Sequence, residues 1–160
     1  MDYSFIIRAA QKGDAKDIQE ILKKSFPEYM KFSGIETGNK VEALSESLEE
    51  IEADIKSCDV FIALMDGKPV GTVRVAETGD STAILTRLGV VPGYHNIGIG
   101  KSLMNFVDKV IASKQLKTLH LYTAAKNTDI MRFYYGRGFY VDSTNKDRGY
   151  IRALMVKDYA

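Results

Sequence analysis

Apolar positions along this chain switch between the two-residue period of a strand and the three-to-four-residue period of a helix. Ser4 to Arg8 is a short apolar run and predicts a first strand. Gly13-Asp14 breaks it. Asp14 is a suitable N-cap, and Ile18, Ile21 and Leu22 follow at helical spacing, so a helix is expected that Pro27 should end. The strongest amphipathic pattern predicts a second helix, Val41 to Ile55. Its apolar stripe is Val41, Leu44, Leu48, Ile51 and Ile55, and Glu42, Glu46, Glu49, Glu50, Glu52 and Asp54 fill a face expected to be solvated.

Val60 to Met65 reads as a buried strand, and Asp66-Gly67 as a tight hairpin turn. Pro69 to Glu77 returns antiparallel, Gly79-Asp80-Ser81 turns the chain again, and Thr82 to Val91 is a long third member of the meander. Gly98 to Gln115 predicts a helix with Leu103, Phe106, Val107, Val110 and Ile111 facing inward. Thr118 to Ala125 is a strand and Asn127 to Gly136 a short helix. Gly138-Phe139 leads back into extended chain, and Tyr150 to Val156 is a final strand. The order is β-α-α-β-β-β-α-β-α-β-β. A meander followed by a β-α-β crossover predicts an α/β (α+β) domain with a mixed, mostly antiparallel central sheet flanked by helices. No linker, repeat or low-complexity tract interrupts it, so residues 1–160 are expected to form a single domain.

Composition narrows the chemistry. Twenty-two Lys and Arg against 21 Asp and Glu give a net charge of +1, which disfavours a nucleic-acid partner. One cysteine, Cys58, excludes an internal disulfide, and with two histidines, His95 and His120, no metal site is expected. No apolar run is long enough for a membrane span and the N-terminus has no secretory pattern, so a cytoplasmic protein is expected.

The densest chemical signal is Leu85 to Val107, where a strand runs through Gly98 and Gly100 into a helix. Glycine admits close backbone approach, and a helix start offers unpaired N–H groups, a combination suited to phosphate. Gly100-Lys101-Ser102 matches the end of a nucleoside-triphosphate loop, but that motif's first glycine would fall on His95. The dinucleotide fingerprint G-x-G-x-x-G fits Gly98 and Gly100 but has Leu103 at its third glycine.

A longer pattern accounts for more. Leu88-x-Val90-x-Pro92 with Gly98-x-Gly100, followed by Asn127 to Phe139 (NTDIMRFYYGRGF), resembles the acyl-coenzyme-A signature of the GNAT N-acetyltransferase superfamily. The resemblance runs from FIIRAAQKGD to YIRALMVK in the family's element order. It implies that the strand of Leu88 and Val90 splays from the strand of Leu119 and Leu121. The pantetheine arm of acetyl-coenzyme A would lie between them, on backbone groups of Leu88 and Val90, with Gly89 marking a bulge. Its pyrophosphate would sit on N–H groups of His95, Asn96, Ile97, Gly98, Ile99 and Gly100, with Lys101 and Ser102 opening the helix. His95 stands where the family usually has Arg or Gln, a position that acts mainly through its backbone.

The resemblance also implies Tyr134 as the general acid for the leaving thiolate, and Asn127 as a hydrogen-bond partner of the cofactor arm. Asn127 is equally an N-cap by its position. Many relatives carry a glutamate base before the phosphate loop, where this chain has Thr86-Arg87; Glu77, His120 and water stay open as bases. The activity implied is acetyl transfer from acetyl-coenzyme A to a primary amine of a small molecule or protein, by direct attack in a ternary complex. The alternative is a non-catalytic acyl-coenzyme-A sensor. Family members often form homodimers. The acidic helix suggests steering of a cationic acceptor.

Overall fold

The computed structural model describes residues 4–35 and 42–159. Seven strands form one sheet: β1 Phe5–Ala9, β2 Asp59–Met65, β3 Lys68–Gly79, β4 Thr82–Val90, β5 Thr118–Ala124, β6 Tyr140–Asn145 and β7 Arg152–Asp158. Their spatial order is β1-β2-β3-β4-β5-β7-β6. Every neighbouring pair is antiparallel except β4 and β5, which are parallel. The helices are α1 Ala15–Lys31, α2 Glu42–Ser45, α3 Leu48–Ser57, α4 Ile99–Ser113 and α5 Thr128–Gly136, with a 3-10 turn at Lys12–Asp14 before α1. The mixed, mostly antiparallel sheet flanked by helices is the architecture expected from the element order.

Two apolar cores sit on opposite faces of the sheet. On one, Leu103, Met104, Val107 and Ile111 of α4 cover Val73 and Val75 of β3, Leu119 and Leu121 of β5, and Met155 of β7. On the other, Ile18, Ile21 and Leu22 of α1 and Ile51 of α3 pack on Val60 and Ile62. Each fully buried aliphatic side chain contributes about 1.5–3 kcal/mol relative to exposure. Two glycines let the helices come close. A Cβ on Gly71 would stand 2.9 Å from Ile99 Cγ2, and one on Gly89 would stand 2.5 Å from Ser25 Oγ.

Several local expectations are revised. Pro27 does not end α1, which runs on to Lys31. Proline fixes a helical φ and sacrifices one backbone bond, and the turn beyond it is fastened to β5 and α5, as described below. Asp14 makes no side-chain cap; its carboxylate instead accepts from Arg8 at 2.6 and 3.0 Å and from the Gln11 N–H at 2.7 Å. The continuous helix expected over 41–55 is two helices, and Val41 lies outside the described residues. Ser47 caps α3 by accepting from the Glu50 N–H at 3.1 Å. The break turns Glu46 away from solvent, so the acidic face is only partly solvated: Glu46 is 8% exposed and meets Arg74, itself 2% exposed.

Candidate functional site

The parallel ladder between β4 and β5 covers Thr82–Thr118, Ala83–Leu119 and Ile84–His120, and then stops. Beyond it β4 remains paired only with β3, and β5 only with β7. The inner edges of both strands diverge and leave an opening with Leu85 to Leu88 on one wall and Leu121 to Thr123 on the other. Phe26 and Tyr29 of α1 close it from one side of the sheet, Ile130 and Tyr134 of α5 from the other. A bulge accentuates the divergence. Between Thr72 and Arg74 of β3, β4 advances from Gly89 to Thr86, one residue more, and Arg87 takes φ 56°. The bulged residue is therefore Arg87; Gly89 admits α1.

The opening leads along β4 into the loop before α4. Gly93, Asn96 and Gly98 all have positive φ, at 94°, 64° and 92°. Gly98 is the N-cap and lends no side-chain bond, so the N–H groups of Ile99, Gly100 and Lys101 have no acceptor within the helix. The first helical bond runs from the Ser102 N–H to the Gly98 carbonyl at 2.9 Å. His95 folds the loop back on β4: its Nε2 lies 2.9 Å from the Val90 carbonyl, which can only accept, so Nε2 carries the proton. Ile97 packs against the core while Lys101 is exposed. A Cβ on Gly100 would have ordinary contact with Phe133 at 3.7 Å. The structure thus brings Leu88, Gly89, Val90 and His95 to Ser102 together along one edge.

Tyr134 lines the opening and is 4% exposed, wedged edge-on between Phe133 and Phe139 at 5.4 Å each. Burial raises its pKa above the ordinary phenol value. Asn127 caps α5 through Oδ1, which accepts from the Ile130 N–H at 3.2 Å. Its Nδ2 is committed to the Tyr29 carbonyl at 3.4 Å and Ser33 Oγ at 3.3 Å. Of its side chain, only a second Oδ1 lone pair is left over. The capping role is the one realised by these bonds.

Tyr29 lies in the turn of α1 beyond Pro27, where the sequence predicts no helix. Its hydroxyl accepts from the Ala124 N–H at 2.7 Å and shares a 3.1 Å bond with Thr123 Oγ1. It therefore occupies part of the inner edge that β5 loses when β4 departs. No motif signals it.

The candidate bases are separated. Glu77 is exposed and pairs with Ala83, at the closed end of the splay. His120 is the last residue of β5 paired with β4, half-buried at the vertex, and burial lowers its pKa. Both charge signs meet beside the opening. Arg74 makes a two-pronged pair with Glu46 at 2.6 and 2.7 Å and reaches Asp54 at 2.8 Å. Arg87 lies 3.7 Å from Glu46 and 3.9 Å from Glu42, which also meets Arg148 at 3.3 Å. Arg87 lines both the splay and a second hollow formed with Glu42, Ser45 and Glu50. Among the described residues no three His, Cys, Asp or Glu side chains cluster as metal ligands, and no helix is long and apolar enough to cross a membrane.

Comparison with known proteins gives the arrangement its context. The structure superposes on the PaiA N-acetyltransferase of Thermoplasma acidophilum, determined in complex with coenzyme A, with a TM-score of 0.86, 24% identity, and coverage of 98% of this chain and 99% of that one. An acetyltransferase of the GNAT family from Streptococcus pneumoniae gives a TM-score of 0.76 at 19% identity, covering 98% and 100%. An uncharacterized N-acetyltransferase of Mycobacterium bovis is 30% identical over 89 residues, 56% of this chain and 57% of that protein. The family model for the acetyltransferase (GNAT) family matches residues 15–139. The chain belongs to that family.

Proposed function

We propose that this protein acts as one domain that transfers an acetyl group from acetyl-coenzyme A to a primary amine of a small molecule or protein, by direct attack in a ternary complex. The observation that carries the reading is the loss of β4–β5 pairing after Ile84 and His120, beside a helix start capped by a left-handed glycine. The unpaired inner edge of β4 offers strand-like partners to an amide-bearing arm, through backbone groups of Leu88 and Val90. The free N–H groups of Ile99, Gly100 and Lys101, at the positive end of α4, suit a pyrophosphate. His95 supports this site by bracing the loop, and its backbone stays available. The coenzyme A held by the Thermoplasma relative accords with this fit.

Acetyl-coenzyme A supplies the acetyl group as a thioester. Tyr134 holds its phenolic proton at neutral pH, a state that burial reinforces, and Oη is the proton donor to the departing sulfur. The acceptor amine is deprotonated by water in the opening, since Glu77 stands at the far end of the strand and His120 does not line the gap. Asn127 acts mainly by fixing the start of α5 and with it the position of Tyr134. A sensor of acyl-coenzyme A would need the cleft and the loop but no proton donor, so Tyr134 supports an enzyme. The reading includes a cytoplasmic setting and a homodimer.

Gly100→Glu tests the cradle. A first-turn carboxylate suits the helix dipole, so the helix should persist, but it brings a side chain and a negative charge to the phosphate position. Calorimetry should show acetyl-coenzyme-A affinity weakened roughly tenfold or more. Unchanged affinity in the folded variant would sink the assignment.

A further inference from the structure

Among the described residues most arginines face a carboxylate, and one beside the opening does not. Arg8, Arg74, Arg87, Arg137 and Arg148 each face a carboxylate, and Arg132 is exposed on α5. Arg152 is half-buried, has no carboxylate or hydrogen-bond partner among the described residues, and its Nε is sealed from solvent without an acceptor. Its guanidinium carbon lies 4.4 Å from the centre of the Tyr122 ring. Stacking on an aromatic face holds the plane of a guanidinium but leaves its N–H edge unsatisfied.

The position of this cation matters. Arg152 pairs across the ladder with Ala124, the last residue of β5, at the open end of the splay. Its neighbour Ala153 is in the core beneath α4, so strand alternation places Arg152 on the opposite face, away from the glycine loop. Tyr122 lines the opening itself. Tyr150, Arg148 and Glu42 lie within electrostatic reach of one another here, and Tyr150 also senses Tyr29 and Arg152. Arg152 is thus a half-desolvated cation beside the reaction cleft, on the side not used by the cofactor. Meanwhile Glu42, Glu46 and Asp54, which would otherwise attract a cation, are paired with arginines.

We propose that the acceptor is an amine that also carries a carboxylate, and that Arg152, held over the Tyr122 ring, binds that carboxylate. This rests on the acetyl-transfer reading. The planar fork matches a carboxylate through two parallel N–H bonds. It also matches phosphate, and a phosphate-bearing amine in the test separates the two. Arg152 is here a specificity residue and takes no part in bond making.

The test compares α- and ω-amino acids with the amide of each, together with phosphoethanolamine, by thiol release with acetyl-coenzyme A. Binding of the same amines to the protein with coenzyme A is measured by calorimetry. In the wild type, kcat/KM should favour a carboxylate over its amide by about 10- to 100-fold, the usual worth of a charge-assisted pair. In Arg152→Gln the preference should collapse, mainly through KM and Kd, and Arg152→Lys should recover part of it. Amides or simple amines as good as the acids would overturn the inference and leave acetyl transfer standing. A preference for phosphoethanolamine would overturn the carboxylate assignment. A carboxylate preference unchanged in folded Arg152→Gln would remove Arg152. The wild-type comparison of acid with amide decides the substrate class even if the variants fail to fold. No thiol release with any amine, with no coenzyme-A binding, would overturn the acetyl-transfer reading and this one with it.

Discussion

The two sides of the splayed sheet are made of different materials. On the α4 side, the groups proposed to bind the cofactor are backbone: the free edge of β4, the loop with Gly93, Asn96 and Gly98 at positive φ, and the uncapped N–H groups of α4. On the α1–α3 side the polar groups are side chains, in a charged lattice of Arg74, Glu46, Asp54, Arg87, Glu42 and Arg148 drawn from five separate stretches of chain. A backbone site depends on glycines and on where a helix starts, so it leaves a compact trace in one stretch of sequence. A side-chain lattice is assembled by the tertiary fold, and each member can change without disturbing its neighbours in the chain. In the reading proposed above, the first kind holds the cofactor and the second borders the acceptor.

The largest effect that can separate the two sides is expected at Glu46. Glu46→Gln leaves Arg74 buried, with Asp54 as its remaining charged partner. Breaking a buried pair from one end costs about 3 kcal/mol or more, and chemical denaturation should show a loss of that size. Acetyl-coenzyme-A affinity of the folded fraction should stay within about twofold, since no phosphate-binding group is touched. A parallel loss of affinity would show that the two sides are one unit.

Tyr134→Phe comes next and probes the seam between them. The ring and its contacts with Phe133 and Phe139 survive, and only the hydroxyl is lost. Single-turnover rates should fall about 10²-fold or more, with kcat and kcat/KM falling together and cofactor affinity little changed. Burial shifts the pKa upward from the ordinary phenol value of about 10. Tyr134 therefore stays protonated through the neutral and mildly alkaline range, and wild-type rates should show no decline from its ionisation below about pH 10. A wild-type rate in the folded variant would remove Tyr134 from the chemistry and favour the sensor.

These particulars also explain what could be read in advance. The order of elements and the glycine loop were legible because hydrophobic period and glycine placement encode them locally, whereas the parting of β4 from β5 was implied only by the family resemblance. The path of α1 was not legible. Pro27 carries a strong local signal to stop, and it is overruled by bonds from Tyr29 and Asn127 to residues nearly a hundred positions apart in sequence. The same holds for α2 and α3. Their shared periodicity reads as one helix, but Glu46 turns inward to Arg74, 28 positions away. Arg152 was invisible for a related reason: an arginine in a strand says nothing about whether the fold supplies it with a carboxylate.

The smallest predicted effect lies at Asn127, where the two materials meet. Its side chain caps α5 through Oδ1 and ties α1 down through Nδ2. Asn127→Ala removes both and should cost about 1–2 kcal/mol, seen as a melting temperature lower by roughly 2–8 °C for a chain of this size. Asn127→Asp keeps the capping acceptor, which suits a helix start, and loses only the two donor bonds, so it should recover at least half of the loss. Acetyl-coenzyme-A affinity should change less than about threefold in both, because the capping bond is internal to the protein. An affinity loss beyond tenfold in Asn127→Ala with unaltered melting would reverse the assignment. It would make Asn127 a direct partner of the cofactor arm and extend the cofactor site from backbone to side chain.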